Sequence, residues 1–512
     1  LKWLSDCDTS HSDSRCSAYH APLPKRVLDL EYPDAPDRIR LYETEGEICE
    51  YVSLSHAWGN SRHFMTTQEN FAAHEKGIWF AELPQTFQDA IIVTRELKIR
   101  YLWIDSICII QDSISDWEQE SAKMASVYSN ASLVISATGS SGDSDGFFLD
   151  RTSPVSCAFE FRRNDGILAS VNASLLSKSR EFDFGLNSVE SDPLSKRGWT
   201  LQERFLARRT LHSASDQFYF ECGEHFVSED GHQTKSLFNK IFKNPRIRTQ
   251  PYPHIMVSTI IDEEEEEEED EDARDAIREW TDLLSNYTDR QLTKDSDKLV
   301  ALSGIVEVFK RTIEDEYVAG LWRSRLVEGL LWYHSSPRRI QQHHHPVHYR
   351  APSWSWASVN GRIYHHVWFD DKAVAHVCEC QVELKSMNPY GEVVSGRLVI
   401  KSLLHELIEI GEPKKDSWVS DSKIGDAAIC ISFCVDYHID ESELREMSMF
   451  ALVLSRRDED SGPSYLGIVI TPTLEHEGEF RRVGYFSCNQ KREFDISKLM
   501  EDESKLVTVT LV

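Results

Sequence analysis

The sequence predicts an α/β protein: a parallel sheet with helices on both faces, followed by a mixed α+β stretch and a β-rich C-terminal region. Three observations carry this. Strand-like and helix-like segments alternate as β-α-β-α-β between residues 46 and 137, which implies right-handed crossovers and a sheet covered on both sides. Residues 101–110 (YLWIDSICII) are almost wholly apolar, as a strand buried on both faces must be. From about residue 351 onward, short apolar runs are punctuated by Gly, Asp and Ser, the pattern of a β-rich unit.

Taken in order, residues 1–45 form a polar lead-in containing Cys7, His11 and Cys16. No fourth metal ligand lies nearby in the sequence, and zinc sites usually close with paired short spacings, so no metal is expected there. Residues 50–54 (EYVSL) read as a strand ending in the loop 56–60 (HAWGN). Leu83-Pro84 and Thr86-x-x-Asp89 announce a helix through a variant capping box, and Phe87, Ala90, Ile91, Thr94 and Leu97 recur with helical period. After the strand at 101–110 comes a polar break at 112–116, a second helix to about Asn130, and a third strand at 131–137 (ASLVISA). Ligands of such sheets sit outside the carboxyl ends of the strands. Here those ends are residues 55–59, 105–112 and 138–145.

Further on, residues 206–350 form a mixed and partly helical region. Residues 276–287, 298–311 and 321–333 read as helices. Residues 262–272 are eleven consecutive acids, expected as a self-repelling, disordered loop. Strands are expected at 397–402, 427–435, 449–455, 465–471 and 506–512, making 351–512 a separate β-rich domain. His343, His344, His345 and His348 read as a solvated loop, since consecutive residues cannot all face one ion.

Composition narrows the function classes. The 512 residues carry a net charge of -29, and the balance stays acidic without the acidic run, against a non-specific nucleic-acid binder. No apolar run approaches the roughly 18 residues of a membrane span. Eleven scattered cysteines without a CxxC pair fit a reduced, cytoplasmic protein. Two acids stand out. On a helical wheel over residues 116–128, Glu120 shares the apolar stripe of Trp117, Ser121, Met124, Val127 and Tyr128, whereas Glu118, Gln119 and Lys123 point elsewhere. Glu120 therefore either makes a structural pair or presents a carboxylate to a pocket. Asp105 poses the same question at the end of a buried strand. The loop from Trp58 to His63 offers free amides and the Arg62 guanidinium, a combination that can cradle phosphate.

Several blocks together resemble the fungal heterokaryon incompatibility (HET) domain: 51–59 (YVSLSHAWG), 83–90 (LPQTFQDA), 100–112 (RYLWIDSICIIQD), Asp116-Trp117-x-x-Glu120, Tyr128-x-Asn130-Ala131 and 197–204 (RGWTLQER), with 349–357 (YRAPSWSWA) further on. The likeness covers residues 46–205 as the domain proper. His56 departs from it, standing where members often carry Tyr. The resemblance implies non-self recognition and programmed cell death, a form of fungal innate immunity. The family has been likened to the Toll/interleukin-1 receptor (TIR) domain, which implies a TIR/flavodoxin-like sheet. Several TIR domains hydrolyse NAD with a helix-borne glutamate, often close to a Trp. By that likeness Glu120 is the expected catalytic residue. Ser55, Trp58, Gly59, Arg62, Asp105, Cys108 and Trp117 are the expected binding set, with NAD as substrate rather than a tightly bound cofactor. Assembly into a homo-oligomer on activation follows from the same likeness, and a protein partner is compatible with it. The rival reading is a non-enzymatic module that signals by assembly alone. The Arg197–Arg204 block could contact a ligand through Arg197 or Arg204, or simply pack through Trp199 and Leu201.

Overall fold

The computed structural model describes the chain except for residues 1, 12–15, 17–20, 33–34, 60–63, 152–155, 164–165, 175–185, 236–262, 335–345, 347, 367–370, 411–417, 425–428, 460–461, 474–475 and 490–502. Arg62 and His343 to His345 thus lie outside the described residues, and His348 is exposed. The chain divides into two compact units, Leu1–His254 and Ile255–Val512, a coarser division than the four regions expected.

The first unit is built on one ten-stranded sheet. Its strands are β1 (Arg26–Asp29), β2 (Arg38–Glu43), β3 (Tyr51–Ser55), β4 (Ile78–Trp79), β5 (Tyr101–Ile104), β6 (Leu133–Ser136), β9 (Arg209–Ser213), β10 (Phe218–Cys222), β11 (His225–Ser228) and β12 (Gln233–Lys235), while β7 (Ser156–Arg162) and β8 (Leu168–Ser174) pair only as a hairpin. The spatial order is β12-β11-β10-β9-β6-β3-β5-β1-β2-β4. The four central strands β9, β6, β3 and β5 run parallel. Antiparallel strands extend this centre on both sides, so the expected parallel sheet is the heart of a mixed one. Every residue of β3, β5 and β6 is buried, which is why these segments read as continuous apolar runs. The lead-in is part of this fold, because β1 and β2 bury Val27, Leu28, Ile39 and Leu41 in the same core.

The helices of this unit are α1 (Lys2–Ser10), α2 (Phe71–Lys76), α3 (Gln85–Glu96), α4 (Asp105–Cys108), α5 (Ile114–Ser121), α6 (Met124–Asn130), α7 (Leu186–Ser191) and α8 (Trp199–Leu206). The expected capping box at α3 does not form. Pro84 is the N-cap and makes no side-chain cap bond, so Thr86 already lies inside the helix. Thr86 Oγ1 instead donates to the Gly142 carbonyl, and Asp89 accepts from the Phe147 and Phe148 amides. The pair serves the loop after β6 rather than its own helix end. The second expected helix is likewise two helices, broken at Ala122 and Lys123.

The second unit corrects two expectations. A helix, Glu263–Thr288, begins inside the acidic run where a loop was expected; glutamate is a good helix former, and negative charge is favoured at a helix N-terminus. The expected helix at 321–333 is mostly other structure: strands Leu321–Trp322 and Trp332–His334 flank a 3₁₀ turn and the short helix Leu326–Gly329. Its apolar run is spent on pairing Leu321–Trp322 with Tyr317–Val318. The β-rich region is present, and its strands close on themselves. Val393–Glu409, Phe450–Glu459, Gly462–Pro472, Glu479–Asn489, Ile429–Val435 and Trp418–Ile424 pair in that order and return to the first. Closure satisfies strand edges that would otherwise remain unpaired.

Candidate functional site

At the carboxyl ends of the parallel strands, side chains from four segments converge. Ser55 ends β3, and His56 and Trp58 follow it. Asp105 follows β5 as the first residue of α4, Asp143 lies in the loop after β6, and Glu203 comes from α8. Two glycines let the loops meet. Gly59 has φ +77°, and a Cβ added there would fall 2.8 Å from Gly142 Cα; such a backbone favours glycine. This close approach brings the loop after β6 beneath the loop after β3.

The polar contacts form a connected cluster. His56 Nε2 lies 3.2 Å from Asp143 Oδ1, and His56 Nδ1 lies 3.7 Å from Asp105 Oδ1. The Trp58 indole N–H donates to Asp105 Oδ2 at 3.2 Å. Arg197 Nη1 donates to the His56 carbonyl at 2.5 Å, and the Ser55 hydroxyl donates to Glu203 Oε2. His56, Asp143 and Glu203 are buried, whereas the Asp105 side chain is 23% exposed. Trp58, Gly59 and Arg197 are partly exposed beside it. Burial holds the Glu203 carboxyl above the usual glutamate range, and the nearby Asp105 charge adds to this against the opposing Ser55, Arg197 and His56. A proton is thus retained more readily in the depth of the cluster, beneath a carboxylate that solvent can reach.

Glu120 faces inward, as the wheel requires. Its side chain is 3% exposed while Glu118 and Gln119 are exposed. Lys123 folds back over it, Nζ to Oε1 at 3.0 Å. Both Glu120 and Asp105 act on the Cys108 thiol between them, which burial pushes up to about 12. A second acid shares this inner face of α5. Asp116 is held by Arg26, by Lys25 at 2.9 Å and by the Ile110 amide at 2.9 Å. Burial alone would raise its carboxyl, but these partners more than offset it and hold it below the usual range. Trp117 packs half-buried against the core.

Of the expected residues, Ser55, Trp58, Gly59 and Asp105 therefore come together at the rim. Cys108 lies within electrostatic reach of Asp105 and of Glu120, which is capped by Lys123, and Trp117 packs against the core. Sequence reasoning did not select His56, Asp143 or Glu203. Asp143 falls in a strand-end segment, which was a usable signal. Glu203 had none of that kind: only the fold shows that Thr200 to Leu206 are all buried, so that an acid among them needs a partner.

These elements fall within a stretch that is similar to a known family. Residues 51–203 match the family model for heterokaryon incompatibility protein (HET). Over that stretch the chain is similar to heterokaryon incompatibility proteins. No curated protein and no solved structure matches the chain. The HET match begins at β3 and ends at Glu203, so it takes in every member of the rim cluster. It leaves out β1 and β2, which complete the sheet, and the strands from β9 onward. Among the described residues, no helix is long and apolar enough to cross a membrane.

Proposed function

We propose that the chain is an effector of fungal non-self recognition and programmed cell death. On this reading its HET domain acts as a TIR-like NAD glycohydrolase at the rim cluster. The observation that carries it is Asp105: a solvent-reaching carboxylate at the carboxyl end of a parallel strand, bonded to the Trp58 indole and backed by His56. Nicotinamide leaves ribose with the electron pair of the broken C–N bond and becomes neutral, so departure needs no strong acid. The ribosyl cation left behind is stabilised by the Asp105 carboxylate. Water then supplies the new C–O bond, and its proton passes through Asp105 to solvent. Trp58 offers an aromatic face for the base, and Arg197 a cation for the diphosphate, joined by Arg62 from outside the described residues. Glu120, capped by Lys123, sets the local field rather than touching substrate. Cys108 lines the inner side.

The test is nicotinamide release from NAD by the purified protein in an assembled state. Asp105→Asn is expected to lower turnover by about 100-fold or more, and Glu120→Gln by less than about 10-fold. Absence of release from the assembled wild type would end this reading.

A second reading, a non-enzymatic module that acts by assembly or partner binding, also has support. In the β7–β8 hairpin, Phe159 pairs with Val171, and Phe161 lies on the same face. These side chains are 58%, 51% and 47% exposed, unusual for large apolar groups so close together. Cell killing that persists in Asp105→Asn without NAD loss, and disappears in Phe159→Asp, would favour it.

A further inference from the structure

Outside the rim cluster, four metal-ligating side chains meet at one point. Cys7 lies on α1, His11 just after it, Cys16 further along the lead-in, and Cys222 at the end of β10, 211 residues beyond His11. Their ligand atoms all lie within 4.8 Å of one another. His11 Nδ1 is 3.4 Å from Cys222 Sγ. The three cysteines are almost fully buried, at 1%, 1% and 3% exposure, and the described cysteines are free thiols.

The geometry points to a structural zinc ion held by Cys7, His11, Cys16 and Cys222, fastening the N-terminal segment to the β10–β11 hairpin. Three sulfurs and one imidazole nitrogen are a zinc donor set. At zinc–sulfur distances of about 2.3 Å and zinc–nitrogen distances of about 2.0 Å, tetrahedral ligand atoms of this set lie roughly 3.5–3.8 Å apart. No pair need close by more than about 1 Å to reach that spacing. Apolar packing accounts for buried thiols, but it gives no reason to draw an imidazole among them.

The surroundings suit an ion as well. The Glu224 and His225 amides, in the turn after Cys222, hydrogen-bond its sulfur, an arrangement that stabilises metal-bound thiolate. Glu224 and His225 also bring ligand atoms within 4.8 Å of His11, able to orient its ring. The segment is already docked on the sheet: Trp3 stacks on Phe220, and Arg209 donates to both Asp8 and the Cys16 carbonyl. On binding Zn²⁺ the three thiols release their protons to solvent. Short spacings within the lead-in supply three ligands, and the sheet supplies the fourth.

The experiment is metal analysis of the full chain, purified reduced from zinc-supplemented medium. About one zinc per chain is expected. Cys16→Ser and Cys222→Ser should lose it, and Cys378→Ser, at an exposed thiol, should keep it. Cobalt substitution should give the visible bands of a tetrahedral thiolate site. Where a ligand variant does not fold, the wild type serves: titration with an organomercurial should release zinc in step with about three thiols. A folded, reduced wild type that holds under about one tenth of an equivalent after zinc addition would overturn the proposal. So would a disulfide among Cys7, Cys16 and Cys222, or zinc release unconnected with those thiols.

Discussion

Glu203 shows how much one buried side chain can depend on distant partners. Its carboxyl is held above the usual glutamate value by desolvation first, so the folded state binds a proton more readily than the unfolded chain. Stability from this group is therefore complete below the unfolded value and falls as pH rises through the folded one. Glu203→Gln is expected to flatten that fall, which urea midpoints measured from pH 4 to pH 8 will show; an unchanged slope would exclude the assignment. Arg482 in the second unit works the other way. It is wholly buried against Asp436, at 2.7 and 3.1 Å, donates to the Leu330 and Trp332 carbonyls, and lies over the Trp332 ring. Arg482→Ala strands the Asp436 charge and should cost about 3–5 kcal/mol, read as a shift in the denaturation midpoint of that unit. Replacing both residues by apolar ones should cost clearly less.

At the scale of elements, the loops after β3 and β6 act as one device. Gly59 and Gly142 touch backbone to backbone, Asp89 and Thr86 of α3 hold the loop after β6, and His56 meets Asp143 across the contact. Gly59→Ala should cost at least about 1–2 kcal/mol through its left-handed backbone alone, with more from the contact with Gly142. Hydrogen exchange at 138–146 should rise in that variant, and unaltered protection there would show that the loops are held independently. The same elements show what was legible. Helical period placed Glu120 inside and Glu118 and Gln119 outside, because that pattern is local. It could not show that Lys123 folds back over Glu120, nor that the helix breaks beside it, because both follow from how α5 and α6 pack.

Across the whole molecule, the two compact units propose a cut near residue 254. A boundary at 350 separates Leu330 and Trp332 from Arg482, and Trp332–His334 from Ile363–His365, all within one unit. We expect residues 1–254 to express as a folded, cooperatively melting piece. Residues 1–350 should carry an unfolded or aggregating tail, seen by circular dichroism and size-exclusion chromatography. Equal folding of the two would count against the division. The first unit likewise needs its lead-in, since β1 and β2 are sheet strands and the zinc ligands begin at Cys7.

The amino-acid order by itself determined the alternating centre of the first unit, the inward Glu120, the strand-rich C-terminal region and the likeness to the HET domain. The first three rest on residues a few positions apart, where backbone periodicity is the governing force, and the likeness rests on the order of blocks along the chain. Only the tertiary structure decided that the parallel centre is extended by antiparallel strands and that α8 returns Glu203 to the end of β3. Only it showed that Asp105 stays open to solvent while Glu120 is covered, and that Cys222 completes a set begun by Cys7, His11 and Cys16. The physical reason is that burial, pairing and coordination depend on groups far apart in the chain, and no local pattern records which of them will meet.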